Sequence, residues 1–150
     1  MPNKYKWHII VIPEDDATRH IGNGLINAFP QIENCIKVLP VTRGWTRAVK
    51  CVETLDLQQN KFRRVLLIID FDKNKERLDI IREKKEFSEF KDRIFIIGCF
   101  NEAEDLKKLV GKSNLEQVGK ELGENCDYWS DHCLLDCRDD ACRLKCEIPY

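Results

Sequence analysis

The chain has 150 residues, 43% of them hydrophobic and 34% charged, with a formal net charge of −1. That length is one domain's worth, and the balance is that of a soluble globular chain. It excludes a disordered, collagenous or secreted mini-protein class, and no apolar run approaches the roughly 20 residues needed to cross a bilayer. Charge is unevenly placed. Residues 1–100 carry 18 Lys and Arg against 14 Asp and Glu, whereas residues 101–150 carry 7 against 12. A mildly basic body with an acidic end permits a polyanionic partner without requiring one.

The apolar period switches repeatedly along the chain, which is the pattern of an α/β domain. Trp7 to Ile12 is a short, nearly continuous apolar run and predicts a buried central strand, stopped by Pro13. Glu14, Asp15 and Asp16 follow as an acidic helix start. The helix is expected over about Ala17 to Phe29, weakened by Gly22 and Gly24 and ended by Pro30. Cys35 to Leu39 predicts a second strand, closed by Pro40. A polar turn over Thr42 to Arg47 leads into a helix through Ala48, Val49, Val52 and Leu55. Arg64 to Asp70 is the clearest strand, followed by a charged helix from about Glu76 to Lys85. Arg93 to Phe100 is the fourth strand, with Asn101 as a helix cap and Glu102, Glu104 and Asp105 in the first turn. Helices are expected over Leu115 to Leu122 and, in one or two pieces, over residues 127–146.

Right-handed crossovers then give a three-layer α/β fold: a mostly parallel four-stranded sheet between helices. The whole chain reads as a single domain, with a core over 1–110 and a helical, Cys-rich extension over 111–150.

In an open parallel sheet, ligands bind beyond the carboxyl ends of the strands. Three of the four predicted ends are acidic. Asp70-Phe71-Asp72 places two carboxylates, two residues apart, at the end of a buried strand. Hard divalent cations such as Mg²⁺ or Mn²⁺ take oxygen ligands of this kind. Glu14 ends the first strand and is a third carboxylate or an acid–base group. The plainer reading makes these residues caps and turn formers. Asp15, Asp16, Glu102 and Glu104 are further acids on the same rim, each also explained by a first helical turn.

Glu14 at the end of the first strand and Asp70-x-Asp72 at the end of the third resemble the TOPRIM domain of topoisomerases, primases and overcoming-lysogenisation-defect nucleases. The resemblance spans roughly residues 6–110. It implies an acid–base or metal-binding role for Glu14, Mg²⁺ held by Asp70 and Asp72, and a metal-dependent, nuclease-like action on nucleic-acid phosphodiesters. Two departures stand out. Asp15 replaces a glycine common after the Glu, and Lys73-Asn74-Lys75-Glu76 lacks a glycine common after the Asp pair. They point to the alternative of a catalytically inactive binding or regulatory module acting through a protein partner. The Ile12-Pro13-Glu14-Asp15-Asp16 start is also similar to that of a group of small stand-alone bacterial proteins. A receiver-like domain is a further reading, but it expects a Lys after a late strand, where this chain has Gly98-Cys99-Phe100.

Arg43, Gly44 and Arg47 are candidate phosphate-binding residues, because Gly admits close approach and a helix start offers free N–H groups. Trp45 either stacks on a base or packs on the sheet edge. Lys73, Lys75, Arg77 and Arg82 read as a solvated helix face, with a phosphate-backbone patch as the sharper alternative. Cys133, Cys137, Cys142 and Cys146 form two Cys-x3-Cys pairs, which admits a structural zinc site, a disulfide or reduced apolar filler. With no signal peptide before the first strand, a cytoplasmic chain is expected, with thiols reduced. At this size, a nucleic-acid-acting chain would need a protein partner or a homodimer; no membrane partner is expected.

Overall fold

The computed structural model describes residues 3–74, 76–99, 114–124 and 137–148, with the backbone alone at 137–139 and 141. Four strands, β1 (His8–Pro13), β2 (Ile36–Val38), β3 (Arg63–Asp70) and β4 (Ile94–Cys99), form one sheet. The order is β2-β1-β3-β4 and every pairing is parallel. All six residues of β1 and of β4, and the last six of β3, are buried. Strands covered on both faces have no solvent side, which is why they read as continuous apolar runs rather than as alternations.

Helix α1 (Asp16–Asn27) connects β1 to β2, and α2 (Trp45–Glu53) connects β2 to β3. Both pack against β1 and β3, so they occupy opposite faces of the sheet. The predicted three-layer α/β architecture is therefore what the chain adopts. Between β3 and β4 the single expected helix is broken into α3 (Arg77–Arg82) and α4 (Lys85–Glu89). A six-residue 3-10 turn over Pro30–Cys35, absent from the sequence reading, precedes β2. Helix α5 (Leu115–Glu124) lies against α1 along most of its length, and α6 (Cys137–Glu147) packs on β4.

The α1–α5 contact explains Gly24, which weakened the helix prediction. A Cβ at Gly24 would sit 1.8 Å from the Glu116 carbonyl oxygen, and one at Gly119 would sit 1.9 Å from that of Ile21. Each glycine thus gives up helix propensity so that two backbones can touch.

Both outer strands are shielded. β2 has only three residues. β4 is covered by side chains of α6: Asp140 Oδ2 accepts the Ile96 N–H at 2.7 Å, and Arg143 Nη2 donates to the Ile94 carbonyl at 3.1 Å. These two contacts occupy the outward-facing ladder groups where another strand would pair. Among the described residues, no helix is long and apolar enough to cross a membrane.

Candidate functional site

The connection from β1 leads to one side of the sheet and the connection from β3 to the other, so the chain reverses direction between these two neighbours. Such a switch point opens a crevice at the carboxyl ends of the strands. Glu14 follows β1 and Asp70 ends β3, which places both on this crevice. Pro13 is level with Ile68 in the ladder, and the Glu14 N–H continues the pairing by donating to the Ile68 carbonyl at 3.1 Å. The Glu14 side chain turns back across the gap, and its Oε2 accepts the Asp70 N–H at 2.7 Å.

Carboxylate oxygens of Glu14, Asp15 and Asp70 all lie within 4.8 Å of one another, a grouping able to hold a metal ion. Asp70 is buried, at 8% exposure, and the other two are half-buried. The donor set is all oxygen, without His or Cys, and so suits Mg²⁺, Mn²⁺ or Ca²⁺ better than zinc. Burial pushes the Glu14 carboxyl above its usual 4.5, and the charges of Asp15 and Asp72 add to the rise. The Asp70 N–H and the Arg77 guanidinium oppose it. A bound cation would relieve the same repulsion.

Asp15 also does the capping job assigned to it by the plainer reading. It is the N-cap of α1: its Oδ1 accepts the Thr18 N–H at 2.8 Å, and its own N–H donates to Thr18 Oγ1 at 3.0 Å. Asp16 stands apart, with its side chain 76% exposed and paired with Arg19 at 3.3 Å. Asp72 is not part of the triad. Its backbone turns left-handed, at φ 50°, and its carboxylate binds Arg77 Nη1 at 3.1 Å. Glu102 and Glu104 lie outside the described residues.

Arg77 corrects the reading of a solvated basic face. Only 11% of its side chain is exposed. Its Nη1 also donates to the Asp70 carbonyl at 2.8 Å, and the guanidinium lies 4.8 Å from the centre of the Trp45 ring. Trp45 therefore packs within the rim, joining the start of α2 to the end of β3. The usable signal was that Arg77 precedes buried Ile81 by four residues and so shares its helix face. Lys73 is exposed, Lys75 lies outside the described residues, and Arg82 pairs with Asp140 at 3.6 Å.

The proposed phosphate-binding residues flank the triad. The Arg43 N–H donates to the Glu14 carbonyl at 2.8 Å, which brings the start of α2 beside β1. Gly44 is the N-cap at φ 141°, a conformation that side chains rarely adopt, and no side chain caps the helix. Arg43 and Arg47 are exposed next to this helix start.

The cysteine set is not brought together as four thiolates. Cys142 is disulfide-bonded, and Cys146 is an exposed free thiol. Cys133 and the Cys137 side chain lie outside what is described. Comparison with protein-family models, with curated proteins and with solved structures finds no match for this chain.

Proposed function

We propose that this protein is a divalent-metal-dependent domain of TOPRIM type that acts on nucleic-acid phosphodiesters, in the manner of a nuclease. The observation that carries this reading is the convergence of Glu14, Asp15 and Asp70 at the switch point, beside a helix start with no side-chain cap. Glu14, Asp15 and Asp70 would hold Mg²⁺ or Mn²⁺. Such an ion supplies charge neutralisation at a phosphoryl group. The first N–H groups of α2, with Arg43 and Arg47, provide a phosphate seat alongside. Burial raises the Glu14 carboxyl above its usual 4.5, so a cation held there would compete with the proton for this side chain.

The second reading, a binding or regulatory module without hydrolysis, is favoured by one observation. Asp72 is engaged by Arg77 and Asp15 by Thr18, so two of the rim acids already have structural partners.

Calorimetric titration of Mg²⁺ and Mn²⁺ into wild type, Glu14→Gln and Asp70→Asn tests the metal centre. Wild-type binding that both variants lose while staying folded is the expected result. Cleavage of labelled single- and double-stranded DNA and RNA then separates the readings: metal-dependent cleavage supports the first, and metal-dependent binding without cleavage supports the second. No metal binding by wild type, with or without nucleic acid, overturns the metal-dependent nuclease reading.

A further inference from the structure

Three large hydrophobic side chains are exposed among the described residues: Tyr5 at 73%, Phe62 at 50% and Ile80 at 44%. Tyr5 and Phe62 line one cleft of about 490 Å³, together with Lys4, Lys61, Gln59 and Asp56. This cleft lies at the amino ends of the strands, since Phe62 immediately precedes β3. Asp70 is eight residues beyond Phe62, so the cleft and the carboxylate rim are about 26 Å apart.

The backbone under both rings is anchored. The Phe62 carbonyl accepts the His8 N–H at 3.2 Å, and the Tyr5 N–H donates to Asn3 Oδ1 at 2.9 Å. The 55–60 loop is held from beneath by two guanidinium groups. Arg63 donates to the Leu55 carbonyl at 2.6 Å; Arg93 donates to those of Leu57 and Asn60 at 2.7 and 3.0 Å. Among the described residues, these cations meet carbonyl oxygens and, for Arg63, the His8 ring, rather than carboxylates. Burial, with the neighbouring Arg64, holds the Arg93 guanidinium below its usual range. The cleft presents two flat rings beside Lys4 and Lys61, opposed by Asp56, and Arg63 and Arg93 hold the loop behind it. The Lys4 ammonium lies 5.2 Å from the Tyr5 ring centre, so this lysine must swing off the ring toward a phosphate when a base stacks there.

We infer that the Tyr5–Phe62 cleft is a stacking site for the bases of a single-stranded nucleic acid, with Lys4 and Lys61 on its phosphates. Exposed aromatic rings alternating with lysines on an ordered backbone are what sequence-tolerant single-strand binding needs. An apolar peptide helix would instead require an aliphatic groove, and Leu, Ile, Val and Met are absent from this lining. The site is independent of the metal centre, and it gives the chain a grip on nucleic acid remote from the rim.

The test is fluorescence anisotropy with a short labelled oligothymidylate or oligouridylate, in EDTA so that no metal-dependent step contributes. Wild type is expected to bind, and Phe62→Ala and Tyr5→Ala each to weaken binding about tenfold, while Phe62→Trp restores it. Lys4→Gln with Lys61→Gln should flatten the slope of log K against log salt by about 1.4. Thermal melts check that the surface variants remain folded. Absence of wild-type binding, or equal binding by the aromatic variants, overturns the inference. So does a wild-type dimer in light scattering that Phe62→Ala dissociates, because the occupant would then be a second copy of this chain.

Discussion

Two acidic sites meet the sheet, and they are built to opposite ends. At the outer edge of β4, Asp140 is 6% exposed and fully engaged: the Ile96 N–H holds one oxygen, and Arg143 and Arg82 approach the other at 3.2 and 3.6 Å. Its environment resembles that of a structural acid, compensated from every side. At the switch point, Glu14, Asp15 and Asp70 crowd within 4.8 Å, and the nearest guanidinium is drawn toward Asp72 and the Asp70 carbonyl. Burial and like charge raise the Glu14 proton affinity rather than lowering it. The difference teaches where to look for chemistry. A carboxylate that has found its cations closes a strand edge, and one that has found other carboxylates is suited to an incoming cation.

Asp140→Ala should have the largest effect on stability. It strands the buried Ile96 N–H and removes the carboxylate facing Arg143 and Arg82, and we expect a loss of about 3 kcal/mol, read from urea midpoints at constant m-value. Because it uncovers the β4 edge, the same variant should also self-associate, visible by light scattering. A neutral result would erase the distinction between the sites.

Glu14→Gln should abolish most of the metal affinity, at least about tenfold in calorimetry, while the amide oxygen keeps the hydrogen bond from Asp70. Its pH dependence has a definite sign. A carboxyl raised above 4.5 contributes stability that is complete below 4.5 and is lost as pH rises through the folded value. Glu14→Gln does not suffer that loss, so the variant should gain on wild type as pH rises from 4.5 through the folded value, measured by denaturant titration at each pH. Metal affinity of the wild type should rise over the same window, since the cation competes with the proton.

Arg77→Gln should cost about 1–2 kcal/mol through the lost stacking on Trp45 and the lost bond to Asp70. By releasing Asp72 and removing a positive charge from the rim, it should tighten metal binding a few-fold. Trp45 fluorescence reports the change directly. Weaker metal binding in this variant would mean that Asp72 contributes nothing and that Arg77 orients the triad.

The smallest expected effect belongs to Asp15→Ser. Ser is an equally good N-cap, so stability should change by no more than about 0.5 kcal/mol. A several-fold loss of metal affinity at unchanged stability would separate the ligand role of Asp15 from its capping role.

The strands were legible because their burial is total. β3 and β4 were predicted to within a residue at each end, since a strand covered on both faces leaves no polar residue to blur its limits. Glu14 and Asp70 were legible for a related reason: they are the first charges after such runs, and parallel topology puts carboxyl ends together. The Pro30–Cys35 turn and the break between α3 and α4 were not, because short helical pieces carry too few residues for a period to show. Nor was the grouping of the rim acids, where Asp15 lies with Glu14 and Asp70 while Asp72 turns to Arg77. The left-handed turn at Asp72 and Lys73 and the reach of Arg77 redirect the Asp72 carboxylate, and neither leaves a mark in the apolar period from which elements are read.

The sequence by itself determined the layer architecture and which strand ends carry acid, because burial and period act on each segment separately. Only the tertiary structure decided which acids share a site and which are neutralised. Glu14 meets Asp70 across the sheet, and Arg82 on α3 meets Asp140 on α6, both pairs far apart in the chain. Charges interact over a few ångströms of space, and the distance along the chain says little about it.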